Sequence, residues 1–178
     1  MFLWFIGEAV WAGYTLVLGV ELPYPSAADI FWIGGYIPFF IGLYLYVKLF
    51  DHVLTRKMLT VTLAVTIVLT VFITVTLLTP VLGAEENLAA IAMDFAYPIL
   101  DLSLFSIAFL GFIIFWRGRL GKSWFLINAA IAMNVCADIL FSYTTAIDAY
   151  YCGHIVDILF DLAYLFFIMA FYVHIKKF

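Results

Sequence analysis

The chain has 178 residues, of which 67% are hydrophobic, 20% aromatic and 11% charged, and its formal net charge is −4. Soluble domains carry about 25% charged residues, so this composition excludes a soluble globular protein and indicates an integral membrane protein. The sequence has no basic stripe with interleaved aromatic residues, which excludes a nucleic-acid-binding surface.

Six apolar stretches follow one another along the chain, and each is long enough to form a membrane-spanning helix. Crossing about 30 Å of hydrocarbon takes about 20 helical residues. The predicted fold class is therefore all-α: a polytopic membrane protein with six transmembrane helices, in which residues 1–178 form a single domain. In chain order, the predicted helices cover residues 1–20, 29–50, 58–79, 87–116, 123–145 and 152–175.

The first stretch has a rival interpretation as a cleaved signal peptide. Residues 1–20 carry no charged n-region, and Glu8 interrupts the apolar run, so a transmembrane helix is favoured. The sequence leaves open whether the chain is a fragment of a longer protein.

The basic residues indicate how the helices are oriented. They occur only around the second and fourth connections and at the end of the chain, whereas the other connections carry acids and no base. Because basic loops stay cytoplasmic, we predict a protein of the cell membrane with both termini in the cytoplasm. The eight basic residues are Lys48, Arg56, Lys57, Arg117, Arg119, Lys122, Lys176 and Lys177.

The first two predicted helices are similar in sequence to the last two. Residues 8–15 align with 138–145, and both segments have an acid followed by an aromatic residue three positions on and a threonine seven positions on. Residues 29–36 align with 157–164 in the same way, from an aspartate to a tyrosine. We therefore predict a parallel-type internal repeat of helices 1–2 and 5–6, related by a pseudo-twofold axis along the membrane normal.

Acidic residues lie inside the predicted spans, on helical faces that they share with aromatic residues, since positions three, four and seven apart line one side. A charged Asp near the bilayer centre costs about 2.5 to 3.5 kcal/mol, and every base lies at the opposite, cytoplasmic ends. Compensation has to come from protonation, water in a cavity open to the outside, a bound cation or hydrogen bonds. The candidate ligand-binding residues are Glu8, Trp11, Trp32, Tyr36, Tyr97, Asp101, Asp138, Asp157, Asp161 and Tyr164.

Structural interpretations of these residues stay open beside the functional one. The aromatic residues fit core packing as well as a ligand cage, and the acids also fit hydrogen bonding between helices. Asp29, three residues after Ser26, fits a capping box better than a ligand role. His154 and Asp157 are spaced to share a metal ion, although a solvated helix end is the simpler interpretation. The sequence therefore names no metal and no cofactor.

Several short motifs together resemble a recurring bacterial and archaeal membrane module. They are Glu8-x-x-Trp11-x-x-Tyr14, the segment 23–43, Tyr97-Pro98-x-x-Asp101 and the helix of Asp138. The module is the multi-helix sensory region found ahead of cytoplasmic histidine-kinase, PAS or diguanylate-cyclase domains. The resemblance covers most of the chain and implies a sensory role, with matching positions at Glu8, Asp29, Tyr36, Asp101, Asp138 and Asp157.

The resemblance has one departure, because no output domain follows Phe178. A stand-alone version, a part of a longer protein and a protein that docks to a separate cytoplasmic signalling partner stay open as alternatives. The leading hypothesis is a non-enzymatic membrane sensor or binding module. Its acidic and aromatic cavity would face outward and take a proton, a metal cation or a small organic amine. The alternative is a proton-coupled carrier of a cationic small molecule.

Overall fold

The computed structural model of the chain describes residues 1–20, 22–83 and 88–177, with residues 77–83 described by their backbone only. Glu21, the acidic connection at 84–87 with Glu85 and Glu86, and Phe178 lie outside the described residues. Every regular secondary-structure element within the described ranges is a helix. The helices are α1 (Phe2–Ala12), α2 (Ala27–Lys48), α3 (Arg56–Gly83), α4 (Leu88–Phe115), α5 (Gly121–Ala146) and α6 (Ile155–Ile175).

Five of these helices are long and apolar enough to cross a membrane. They are α2, α4, α5, α6 and the Arg56–Thr76 part of α3. The first apolar helix is shorter and covers Phe2–Leu18. Its last turns, Gly13–Leu18, are π-helical, and Gly19 then ends the helix in a left-handed conformation with φ of +66°. Within the described ranges the fold is thus all-helical, with five candidate spans and one short apolar helix, and the predicted count of six spans is not established.

The bundle is arranged around α5, which contacts α3, α4 and α6, while α2 contacts α1 and α4. A core of buried apolar side chains fills the half of the bundle nearest the basic connections. Its aromatic members pack closely, as Phe115 and Trp124 do with ring centroids 5.3 Å apart. Large apolar side chains on the outer helix faces are exposed, as expected for surfaces that meet lipid: Ile30, Ile37 and Leu45 on α2, and Leu165, Ile168 and Tyr172 on α6.

Three glycines allow tryptophan rings to lie directly on a neighbouring helix. Trp4 lies against Gly35 and Trp32 lies against Gly7, so α1 and α2 exchange a ring in each direction. Trp124 on α5 lies against Gly111 on α4 in the same manner. A Cβ atom at any of these glycines would overlap the ring, so the close approach of the helices depends on them.

The contacts between helices do not establish the predicted internal repeat, although each of its two hairpins packs internally, α1 with α2 and α5 with α6. α5 has three main partners, whereas α1, its counterpart in the repeat, packs mainly on α2. The repeat therefore stays a prediction.

Candidate functional site

A cavity of about 410 Å³ lies in the half of the bundle away from the basic connections. The connections that follow α1 and α5 contribute Leu22, Tyr24, Tyr150 and Cys152 to its wall. Nine of the ten candidate ligand-binding residues line the cavity, and Asp101 lies behind Tyr36. Among the described residues, the wall has no Lys, Arg or His. It has six carboxyl-bearing residues: Glu8, Asp29, Asp138, Asp148, Asp157 and Asp161.

Glu8 on α1 is held from two other helices. Its Oε1 atom accepts hydrogen bonds from the Trp32 Nε1 atom on α2 at 3.0 Å and from the Tyr164 hydroxyl on α6 at 2.7 Å. Trp32 is positioned in turn, because its carbonyl accepts a 2.8 Å hydrogen bond from Trp4 Nε1. Glu8 remains only partly buried on the cavity wall, so its carboxyl group is oriented by donors and still faces the cavity.

Asp29 forms the predicted capping box, which the structure confirms. Its Oδ2 atom accepts from the backbone N–H of Ser26 at 2.6 Å, and Ser26 Oγ accepts from the backbone N–H of Ala28. The other carboxyl oxygen, Oδ1, accepts a 2.5 Å hydrogen bond from the Tyr97 hydroxyl on α4. Asp29 therefore begins α2 and fixes Tyr97, which makes it a structural part of the wall.

Asp94 on α4 is fully buried near the mouth and is not itself a wall residue. Its Oδ1 atom accepts hydrogen bonds from the Tyr24 hydroxyl at 2.9 Å and from Ser142 Oγ at 2.8 Å. Burial, reinforced by the neighbouring Asp94 carboxylate, raises the pKa of Tyr24, which lies in the connection before α2. Tyr24 thus stays a hydrogen-bond donor and anchors this connection to α4.

Asp101 and Asp138 come together at the inner end of the cavity, between α4 and α5. Asn134 Nδ2 lies 3.2 Å from both Asp101 Oδ1 and Asp138 Oδ2, so one side-chain amide bridges the two carboxyl groups. The Tyr36 hydroxyl on α2 donates to Asp101 Oδ1 at 2.8 Å. Asp138 reaches the cavity wall, whereas Asp101 is only 1% exposed.

Asp157 and Asp161 on α6 differ in their partners. Asp157 accepts hydrogen bonds from the Tyr150 hydroxyl at 2.9 Å and from the backbone N–H of Gly153 at 2.8 Å, which closes the start of α6. Asp161 is exposed to the cavity and makes no hydrogen bond with the described residues. Its carboxylate is therefore available to a ligand on the wall that also carries Glu8.

The side chains of His154 and Asp157 have separate hydrogen-bond partners. His154 is the N-cap of α6, and its Nδ1 atom accepts from the backbone N–H of Val156 at 3.3 Å. More generally, the part of the chain that the structure describes has no group of three or more His, Cys, Asp or Glu residues arranged to hold a metal ion.

Several wall and support residues were not among the sequence-based candidates. Asn134 and Ser142 lie four positions before and after Asp138, so the helical spacing that grouped Asp138 with Phe141 also placed them on this face. Trp4 lies four positions before Glu8 in the same way. Tyr24 had no such signal, because it lies in a connection and the pattern typical of an interfacial belt described it equally well.

Comparison of the chain with known proteins finds no matching family model, no matching curated protein and no matching solved structure. The resemblance to a membrane sensory region therefore stays a prediction that rests on the short motifs in the sequence.

Proposed function

We propose that the protein is a non-enzymatic membrane binding module with a sensory role, and that its cavity takes a small organic ammonium cation. The observation that carries this proposal is the composition of the wall, which combines six carboxyl-bearing residues with aromatic rings and has no basic side chain among the described residues. Such a wall attracts positive charge and repels anions. Aromatic ring faces add cation–π attraction of about 0.5 to 2 kcal/mol each.

The size of the cavity favours an organic cation over the other two ligands considered. A volume of about 410 Å³ falls within the range of about 300 to 1,000 Å³ typical of small-molecule sites. We assign the ammonium group to the space between Glu8 and Asp161, since the first is oriented by Trp32 and Tyr164 and the second has no partner among the described residues.

Binding of matched probes tests this assignment. Benzylamine and benzyl alcohol share a shape but differ in charge, and benzyltrimethylammonium keeps the charge without an N–H donor. In calorimetric titrations of the protein in lipid nanodiscs, we expect benzylamine to bind at least about tenfold more tightly than benzyl alcohol, a difference of about 1.4 kcal/mol.

Variants locate the site within the cavity. We expect the double variant Glu8→Gln, Asp161→Asn to lose most of the preference for benzylamine. Asp51→Asn removes the same kind of charge outside the cavity wall, near the opposite end of α2, and serves as the control. Equal affinities for benzylamine and benzyl alcohol would contradict the proposal.

The orientation proposed for the chain puts this cavity on the outer side and the basic ends in the cytoplasm. The Arg119 guanidinium donates to the Lys177 carbonyl at 3.0 Å, so the fourth connection and the end of α6 lie together at the basic end. Cys152 on the cavity wall is a native reporter. In a Cys136→Ser background, an impermeant maleimide added outside intact cells should label Cys152, and benzylamine should slow the labelling.

The carrier alternative is separated from sensing by a transport measurement. Inward from Tyr36 and Trp4 the bundle is filled by the buried apolar core, which favours a binding module that is closed on the basic side. Proteoliposomes with an imposed proton gradient should therefore bind radiolabelled benzylamine without accumulating it. Accumulation driven by the gradient would establish the carrier instead.

A further inference from the structure

The seam between α4 and α5 contains a second ionisable site, distinct from the place assigned to the ammonium group. It consists of Asp101 and Asp138, whose carboxyl groups share one donor, since Asn134 Nδ2 lies 3.2 Å from an oxygen of each. Both are buried, at 1% and 8% exposure, while Asp138 also reaches the cavity. The site is therefore a carboxyl pair with a single side facing the cavity.

The hydrogen bonds that the described residues make around the pair leave one buried carboxyl oxygen without a donor. Asp101 Oδ1 accepts from Tyr36 and Asn134, and Asp138 Oδ2 accepts from the same Asn134 amide. Asp101 Oδ2 is fully buried and has no hydrogen-bond donor among the described residues. A proton on Asp138 would make that carboxyl group a donor to this oxygen, and a proton on Asp101 Oδ2 would make that oxygen a donor to Asp138.

Among the residues that the structure describes, the charged and titratable groups that face the pair do not supply a positive charge. Tyrosine hydroxyls approach from the connection before α2 and from α2, α4 and α6, namely those of Tyr24, Tyr36, Tyr97 and Tyr164. The carboxyl group of Asp94 also faces Asp138. On α3, Leu69 and Ile73 pack in one apolar cluster with Leu102 of α4. Two adjacent ionised carboxylates would repel each other here, and no base in the described part of the chain faces them to offset the repulsion.

We propose that Asp101 and Asp138 hold one proton between them, and that this proton is released through Asp138 when an organic cation occupies the cavity. The O–H bond of the pair breaks, the proton leaves by the cavity, and the electron pair remains on the carboxylate. One positive charge enters and one leaves, so the charge of the site is unchanged. Asn134 is the positioning residue, since its amide holds both carboxyl groups. The release step rests on the proposed function, but the presence of the proton does not.

Infrared spectroscopy of the full chain in lipid tests the proton itself. At about pH 7, where ordinary carboxyl groups are ionised, we expect a carbonyl band of one protonated carboxyl group in the native protein. Asp138→Asn and Asp101→Asn should each remove the band, whereas Glu8→Gln and Asp51→Asn should retain it. A native protein without this band, or a band retained in both aspartate variants, would overturn the proposal without depending on how well any variant folds.

Proton release is measured with benzyltrimethylammonium, a probe that cannot exchange a proton of its own. In weakly buffered nanodiscs with a pH-sensitive dye, we expect about one proton released per probe bound, and none in Asp138→Asn. Binding without release, with the infrared band unchanged, would refute the coupling and leave the proposed function intact. A native protein that keeps its infrared band and does not bind the probe would refute the proposed function and retain the proton site.

Discussion

Glu8 and the Asp101–Asp138 pair belong to one cavity, whose wall includes Glu8 and Asp138, and they use the same chemistry in different surroundings. Each has a carboxyl group that accepts from a tyrosine hydroxyl and from a side-chain N–H group. Glu8 is partly buried and gathers its donors from separate helices, α2 and α6. The pair lies in a packed seam, where Asn134 is on the same helix as Asp138.

The positions of the hydrogen-bond donors decide what each carboxyl group can bind. The donors of Glu8 span the gap between α1 and α6, two helices that are not among the main packing partners in the bundle. At the pair, α4 and α5 already pack along their length, so the carboxyl groups are fixed, and a proton fits where a larger ligand does not.

The largest expected effect concerns the glycines under the tryptophan rings. Trp124 is 2% exposed, so a methyl group at Gly111 has no space to take and the α4–α5 seam must open. We expect Gly111→Ala to lower the free energy of unfolding by about 3 kcal/mol. Trp32 borders the cavity and can turn into it, so Gly7→Ala should cost only about 1 kcal/mol while weakening benzylamine binding. Unfolding in mixed micelles measures both variants, and equal losses would contradict the contrast between seam and cavity.

An intermediate effect is expected when the amide that bridges the pair is removed. Asn134→Ala deprives Asp101 and Asp138 of a shared donor, and we expect a loss of about 2 kcal/mol in the free energy of unfolding. Asn128→Ala is a matched control on the same helix, because Asn128 donates to backbone carbonyls of Ala108 and Trp124. The control should cost about 1 kcal/mol. A larger loss in the control would show that the bridge contributes little to stability.

The same contrast explains how much could be predicted from the sequence. Hydropathy predicted helices close to those in the structure, because a span is a local property of about 20 residues. Helical spacing predicted which residues share a face, and the acids and aromatic residues at steps of three and four do line one cavity. Partner choice was not predictable, since the Tyr164–Glu8 and Tyr36–Asp101 hydrogen bonds join residues 156 and 65 positions apart. Those pairings depend on tertiary packing.

Asp94 is buried like the Asp101–Asp138 pair. The smallest expected effect concerns its hydrogen-bond donor Tyr24. Tyr24→Phe removes the hydroxyl that donates to Asp94 Oδ1, while Ser142 keeps its own hydrogen bond to that atom. We therefore expect a loss of about 1 kcal/mol in the free energy of unfolding near neutral pH.

The pH dependence of this loss separates a buried donor from a hydrated one. Burial raises the pKa of Tyr24 in the folded protein, whereas an unfolded tyrosine ionises near about pH 10. Below that pH both states keep the proton and stability does not change through this group. Above it only the unfolded state loses the proton, so stability falls by up to about 1.4 kcal/mol per pH unit. Between about pH 9 and pH 11 the native protein should therefore lose stability more steeply than Tyr24→Phe. Parallel curves would mean that Tyr24 is hydrated when folded and that its connection does not close over Asp94.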